Sequence, residues 1–395
     1  MTKINPESLI RSAKLISFLL FSGYACHFSL FIIFISLKSI NFAREFMEQQ
    51  KVIISHCLRT SMAQAIAECE HDKLFILADQ TTDRLCLPLI CDYDFLKGAH
   101  KIVIGDTDSN KTLESVAHVW QELGRHGATR HSLMINLGGG MITDLGGFAA
   151  STFKRGIQFI NVPTTLLSLV DASVGGKTGI NFGGLKNEIG VFNNAQSVIL
   201  NTEFLNTMDR ENMLSGYAEM LKHGLINERK MWAELITFDI EQPNLKELQR
   251  MVAESVAVKQ RIVTEDPTER GIRKALNLGH TIGHAFESFA MRRTPMLHGY
   301  AVAYGIVCEL YLSAIKTGFP TDVMHQTVAF IKEHYGKLEI TCNDYPELLE
   351  LMTHDKKNIG STINFTLLGG IGDIIINQTA TREEILEALD FYREC

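Results

Sequence analysis

Over the first part of the chain, short apolar runs alternate with longer stretches of helical period. From residue 47 to about 203, "KVIIS" (51–55), "KLFILAD" (73–79), "HKIVIGD" (100–106), "HSLMINL" (131–137) and "IQFINVP" (157–163) read as strands. They are short and continuously apolar, as strands buried on both faces are. Between them, "LESVAHVWQELGRHGAT" (113–129) carries an apolar stripe at helical spacing and stops at Gly127, and "GGG" (138–140) opens an apolar helix through "FAAST" (148–152). Strands separated by helices predict a largely parallel sheet. From about residue 204 the helical period takes over, in 248–266, 281–291, 301–318 and 382–394, interrupted by a hairpin-like piece at 363–377. The pattern predicts an α/β domain over 47–203 and a mostly α-helical domain over 204–395, with an active site in the cleft between them. The boundary is a change of period, not of composition.

Upstream of this, residues 15–37, "LISFLLFSGYACHFSLFIIFISL", are apolar and long enough to span a bilayer. A small-x-small cleavage site is lacking, which argues against a signal peptide. Either this run is a membrane anchor, or the natural chain starts at Met47 and residues 1–46 are upstream sequence. The second reading is favoured, because "KVIIS" begins an ordinary strand four residues after Met47, and it makes the protein cytoplasmic. Composition agrees with a large globular core: 46% of the 395 residues are hydrophobic and 21% charged. Eight cysteines without a CxxC pair suggest no disulfide framework and a reducing compartment. A net charge of −7 without a long Lys/Arg run excludes nucleic acid as the expected partner. It leaves room for an anionic substrate, provided basic residues gather in one cleft.

Two stretches carry chemistry. In "INLGGGMITDLGG" (135–147), three glycines between a strand and a helix allow close approach of a pyrophosphate to free N–H groups. This is not GxGxxG, and no convincing ribose-binding acid follows about 20 residues on; Asp79, ending an earlier strand, can take that part. Next, "VPTTLLSLVDASVGGKTGINFGGLKN" (162–187) sets Asp171, Lys177, Lys186 and Asn187 in what reads as loop, dense in small residues around lysines, as a phosphate-bearing ligand requires.

The other chemistry is in "LNLGHTIGHAFE" (276–287), where His280, His284 and Glu287 share one helix face. Thr281 follows the first histidine, so the HExxH of metalloproteases is absent. Further donors stand in "GYAEMLKHGLI" (216–226), with Glu219, Lys222 and His223 in an otherwise apolar segment, and in "MLHGYAVAYGI" (296–306), with His298. A buried carboxylate is costly unless paired or metal-bound. Two histidines and a glutamate with an open position form a zinc site able to polarise a substrate oxygen.

Taken together, "GGGMITDLGGFAASTFKRG", "VPTTLLSLVDASVGGKTGIN", "GLKNEIGVF", "GYAEMLKHGLI", "GIRKALNLGHTIGHAFE", "LHGYAVAYGI" and "HDKKN" resemble the 3-dehydroquinate synthase family from about residue 47 to 395, in the family's order. The wider sugar-phosphate cyclases and iron-type alcohol dehydrogenases share fewer of these motifs. The resemblance implies a homodimer with NAD and one zinc or cobalt ion per subunit. Its substrate is a phosphorylated seven-carbon keto acid, 3-deoxy-D-arabino-heptulosonate 7-phosphate. The product, 3-dehydroquinate, arises by oxidation, phosphate elimination, re-reduction and aldol closure. Metal ligands are implied at Glu219, His280 and His298, with His284 a phosphate-holding residue and not a ligand. Substrate contacts are implied at Asp171, Lys177, Asn187, Lys222, Lys259, Arg273 and Asn277, at Lys356 or Lys357, and at Arg155 supplied across the dimer. NAD contacts are implied at Asp79, Lys111, Gly139, Gly140, Asp144, Thr164, Thr165, Lys177 and Lys186. Two departures stand out: "GDTDSNK" has Asp106 where the family has Glu and a longer spacer to Lys111, and Tyr300 follows "LHG" where Glu is commoner. Two other activities fit much of the same set: another sugar-phosphate cyclase, and a polyol dehydrogenase that releases NADH. A non-catalytic membrane-bound homologue is suggested only by residues 15–37.

Overall fold

A computed structural model of the chain describes residues 50–353 and 363–395. The apolar run at 15–37, Met47 and the Lys356–Lys357 pair lie outside the described residues. Residues 50–395 form one compact unit. In chain order its strands and helices begin with β1 (Val52–Ile54), α1 (Leu58–Ala67), β2 (Leu74–Asp79), α2 (Gln80–Leu85), β3 (His100–Ile104), α3 (Leu113–Arg125), β4 (Leu133–Gly138), α4 (Gly140–Thr152) and β5 (Gln158–Pro163). A hairpin of β6 (Lys177–Phe182) and β7 (Leu185–Phe192) follows, then β8 (Ser197–Leu200). The remainder is α5 (Arg210–Asn227), α6 (Arg229–Thr237), α7 (Leu245–Glu265), α8 (His280–Met291), α9 (His298–Thr317), α10 (Thr321–Tyr335), α11 (Tyr345–Thr353), the hairpin β9 (Asn364–Gly370) and β10 (Asp373–Thr379), and α12 (Arg382–Glu394).

Six strands make one sheet in the order β1-β8-β5-β4-β2-β3, and every pairing in it is parallel. All six residues of β2 and of β4 are buried, which explains their continuous apolar runs: helices cover both faces of a parallel sheet. Chain order turns outward in opposite directions after β2 and after β4, so the switch point falls between them. Ligands of open α/β sheets bind in that crevice, at the carboxyl ends of the strands. Asp79 and the Gly138–Gly140 turn sit at those ends.

The expected α/β part and helical remainder are both present, and the sheet's last strand ends at Leu200. One expectation needs correcting. The stretch 162–187 reads in sequence as loop around Asp171, Lys177, Lys186 and Asn187, but from residue 177 it enters an antiparallel pair, β6–β7, with Phe182 opposite Leu185. Gly183 and Gly184 make the two-residue turn, both at positive φ (60° and 81°), the geometry that favours Gly-Gly hairpins. Lys177, Lys186 and Asn187 therefore stand on strands, and Asp171 on a single turn of π-helix, Ser168–Ala172.

Local signals fix the helices that carry the site. Asp209 caps α5, accepting from Asn212 N at 2.7 Å, and Asn244 caps α7; such caps contribute about 1 kcal/mol each. Close helix contact comes from glycines on α9. A Cβ at Gly299 would lie 1.9 Å from Ser215 O on α5, and one at Gly305 would lie 1.9 Å from Gly279 O, just ahead of α8. Bare backbone at these two points lets α9 touch both neighbours, which draws three helices into one seam.

Candidate active site

At the sheet's crevice, Asp79 ends β2 and starts α2 with a reciprocal cap: Thr82 N donates to its Oδ1 at 2.8 Å, and Asp79 N donates to Thr82 Oγ1 at 3.0 Å. Burial pushes its carboxyl up, against these donors. Gly139 leads into α4 without a side-chain cap, so the first N–H groups of that helix face an anion's usual position. Thr164 N donates to Gly138 O at 3.0 Å, which sets the threonine pair after β5 beside the glycine turn, and Thr165 Oγ1 donates to Ser168 Oγ at 2.9 Å. One turn into α4, Asp144 pairs with the buried Lys111 at 2.6 Å, and Lys111 also donates to Asn187 on β7. The longer spacer before Lys111 thus still delivers its ammonium to the crevice.

Where α5, α8 and α9 meet, the donors gather. Glu219 on α5 is fully buried. His280 Nε2 lies 3.3 Å and His298 Nε2 3.5 Å from Glu219 Oε1, while Lys222 Nζ touches Oε2. Yet neither carboxylate oxygen accepts a hydrogen bond of proper direction: charge is balanced, directional demand is not. The other ring nitrogens are engaged, His280 Nδ1 by Leu278 O at 3.0 Å and His298 Nδ1 by Glu287 Oε2 at 3.1 Å. Both Nε2 atoms thereby converge on one carboxylate oxygen. Ligands about 2.0–2.2 Å from a tetrahedral ion stand roughly 3.3–3.6 Å apart, which is the spacing found. The donor set fits a divalent cation.

His284 joins the same group. Its ring is 5.3 Å from that of His280 and 5.9 Å from that of His298, and the nearest nitrogens of the three lie within 4.8 Å of one another. Asp171, Glu219 and His223 make a second cluster of donors within that distance of one another. His223 Nδ1 meets Ser255 Oγ at 2.6 Å, and its Nε2 is buried without a partner.

Electrostatics divide the histidines. Burial pulls His280 down to about 4 and His223 down to about 3, so both are neutral at pH 7. Burial acts the same way on His298, but Glu287 and Glu219 overcome it and hold the imidazole up to about 10. Burial opposes the charge on Glu219 as well; Lys222 and His280 nonetheless keep it well below the usual carboxylate range.

The sequence's cations surround this centre. Lys259 on α7 donates to Asp171 Oδ1 at 2.7 Å, and burial lowers its ammonium. Lys177 pairs with Glu269 at 2.5 Å, and Asn277 Nδ2 donates to the same carboxylate at 3.0 Å. Arg273 is buried and donates to Pro267 O at 2.8 Å. Arg155 is not brought here. It follows the C-terminal end of α4, whose N-terminus carries the glycine turn, and with Thr129, Arg130, His131 and Lys154 it lines a separate basic depression of about 550 Å³. Lys186 points to Glu287 at 2.6 Å and lies 3.7 Å from Asp108. Tyr300 packs edge-on against Tyr335 at 5.2 Å, an aromatic contact.

Two residues escape sequence reasoning in part. Glu287 shares the face of His280 and His284, but its partner His298 lies across a helix pair. Glu309, fully buried on α9, accepts from Gly279 N, Thr281 N and Ile282 N at 2.6, 3.0 and 3.2 Å. It caps the helix that begins with His280. An acid inside the apolar run "AVAYGIVCELYLSA" is the signal that points to it.

A six-stranded parallel sheet followed by a helical remainder is a fold that this chain shares with sugar-phosphate cyclases and iron-containing alcohol dehydrogenases. Solved structures agree in fold. A 2-epi-5-epi-valiolone synthase from Streptomyces hygroscopicus, solved with NAD+ and Zn2+ bound, superposes with TM-score 0.77 at 24% identity, covering 87% of this chain and 97% of that one. An iron-containing alcohol dehydrogenase from Thermotoga maritima superposes with TM-score 0.59 at 15% identity over 88% and 98%. Sequence narrows the class. The family models for the 3-dehydroquinate synthase N-terminal and C-terminal parts match residues 101–215 and 216–358. The 3-dehydroquinate synthase of Parabacteroides distasonis is 55% identical over 349 residues, 88% of this chain and 99% of its own length. That of Corynebacterium diphtheriae is 37% identical over 73% and 80%. The chain belongs to the 3-dehydroquinate synthase family.

Proposed function

We propose that the chain converts 3-deoxy-D-arabino-heptulosonate 7-phosphate to 3-dehydroquinate and inorganic phosphate. The observation that carries this reading is the 55% identity to a curated 3-dehydroquinate synthase across nearly that enzyme's whole length. Convergence of Glu219, His280 and His298 beside a cluster of lysines supports it. Residues 47–203 hold NAD through Asp79, Lys111, Gly139, Gly140, Asp144, Thr164 and Thr165, with Lys177 and Lys186 flanking. Residues 204–395 supply Glu219, His280 and His298 for zinc or cobalt. When bound, the ion lends Lewis acidity to a substrate hydroxyl and NAD takes and returns a hydride.

The protein's own groups then bind, orient and balance charge. Lys177, Lys222, Lys259 and Arg273 offset the phosphate and carboxylate of the substrate. Such preorganised contacts often supply the largest catalytic term. Asp171 holds the Lys259 ammonium in place, and Glu269 does the same for Lys177 and the Asn277 amide. His284, at the rim of the histidine group, contacts phosphate. Asn187, Lys356 or Lys357, and Arg155 complete the substrate shell, the last from a second copy.

A homodimer is part of the proposal. Every residue of β7 is exposed, and β6 is the only strand beside it among the described residues. Phe182, Leu185 and Phe192 are 52%, 56% and 61% exposed. An apolar open edge of this kind invites pairing with another strand. The described cysteines are all free, which supports assignment to the cytoplasm. No helix among the described residues is long and apolar enough to cross a membrane.

The deciding experiment supplies the seven-carbon phosphorylated keto acid, NAD+ and zinc, and follows phosphate and NADH together. Stoichiometric phosphate without NADH build-up is expected. Accumulating NADH would mean a polyol dehydrogenase, and no phosphate from this substrate would mean a different cyclase. Glu219→Ala and His280→Ala should each lose the metal; full zinc content in either would break the ligand set.

A further inference from the structure

Glu287 lies two turns beyond His280 on α8 and is buried at 6% exposure. Each of its carboxylate oxygens has one partner: Oε2 accepts from His298 Nδ1 at 3.1 Å, and Oε1 accepts from Lys186 Nζ at 2.6 Å. Lys186 is on β7, so one carboxylate bridges the exposed hairpin and the helical seam. The two imidazoles facing Glu219 are held differently. His280 leans on the backbone of its own turn through Leu278 O. His298 opens α9, and its side chain is 30% exposed; Glu287 holds its Nδ1. With Nδ1 held, Nε2 is the atom presented to Glu219. Groups that grip the far nitrogen of a metal-binding histidine fix its tautomer and ring orientation.

We propose that Glu287 is a positioning residue for the metal centre, aiming His298 Nε2 at the ion, and that Lys186 holds Glu287 in that pose. This rests on the metal-site reading above. It adds that the metal's affinity is set partly from the hairpin. Glu287 itself binds no metal.

The test measures zinc affinity of the metal-free full chain, without NAD or substrate, by competition with a chromophoric chelator. Far-UV circular dichroism monitors folding. Glu287→Ala should weaken zinc binding about 10–100-fold, the usual effect of losing such a partner. Glu287→Gln keeps an acceptor for His298 Nδ1 while losing the ion pair, and should fall between the alanine variant and wild type. Lys186→Met should weaken zinc by less than Glu287→Ala does. Wild-type affinity in folded Glu287→Ala overturns the proposal. If the alanine variant does not fold, the glutamine variant decides, and wild-type affinity there overturns it. Unchanged affinity in Lys186→Met removes the hairpin from the account. His280→Ala separates the two readings: if it too keeps zinc, the ligand set is wrong; if it alone loses zinc, only the role of Glu287 is wrong.

Discussion

Gly305→Ala tests whether glycine contacts build the metal site. Gly305 is on α9, seven residues after His298. An added Cβ would lie 1.9 Å from Gly279 O and 2.7 Å from Gly283 N, whereas real contacts begin near 3.0 Å. Roughly 1.1 Å must come from backbone, because no flexible side chain tip is there to yield. Gly279 directly precedes His280, so the shift is passed to a proposed metal donor. Metal–ligand distances tolerate about ±0.2 Å, several times less than the displacement. Overpacking of this kind costs about 1–3 kcal/mol, while the better helix propensity of alanine returns up to about 1 kcal/mol. The expected result is a net loss of about 1–2 kcal/mol and zinc affinity down tenfold or more. Gly124→Ala is the matched control. It lies inside α3 with nothing within 4 Å of its Cβ, so it should gain about 0.5–1 kcal/mol. Thermal unfolding with and without zinc, plus chelator competition, reads both quantities. A Gly305→Ala protein that binds zinc normally and is stabilised like the control would mean that this glycine contact does not set the site.

Other outcomes follow from the same geometry. His284→Ala should keep zinc yet lose turnover; loss of zinc would make it a ligand after all. In the metal-free protein, burial keeps His280 neutral above about 4, whereas Glu287 and Glu219, against burial, keep His298 protonated up to about 10. Zinc therefore displaces one proton, competition eases as pH rises, and affinity should climb about tenfold per pH unit between roughly pH 5 and 8; calorimetry in buffers of differing ionisation enthalpy should count one proton, and zero or two would contradict the pairing. Phe192→Asp puts a charge on the exposed face of β7 and, with the proposed homodimer pairing there, should shift sedimentation toward the monomer with loss of activity; unchanged sedimentation would overturn pairing through this strand. Asp79→Ala removes the cap of α2 at a cost of about 1 kcal/mol and should weaken NAD binding, which fluorescence quenching can follow; unaltered affinity would clear Asp79 of a ribose role.

The parts legible in sequence are those whose physics is local. β2 and β4 are buried on both faces, so their apolar runs are unbroken, and the glycine turn sits next to its strand and helix. The hairpin at 177–192 is different. A Cβ at Gly190 would lie 2.1 Å from Thr178 O, so strand proximity itself demands glycine and erases the alternation that marks a strand. Across helices the sequence is ambiguous in another way. The i, i+4 spacing singles out His280 with His284, but the carboxylate oxygen that His280 and His298 both approach belongs to Glu219, 61 positions before His280. Spacing along one helix cannot report contacts between three. What it does report is cost: a glutamate amid Tyr217, Ala218, Met220 and Leu221 must be buried, and a carboxylate there costs several kcal/mol without a cation. Lys222 alone occupies one oxygen. The other faces two imidazole nitrogens whose opposite edges are held by Leu278 O and Glu287, so what this carboxylate lacks is not charge but a directional partner, which a cation held among these donors would supply.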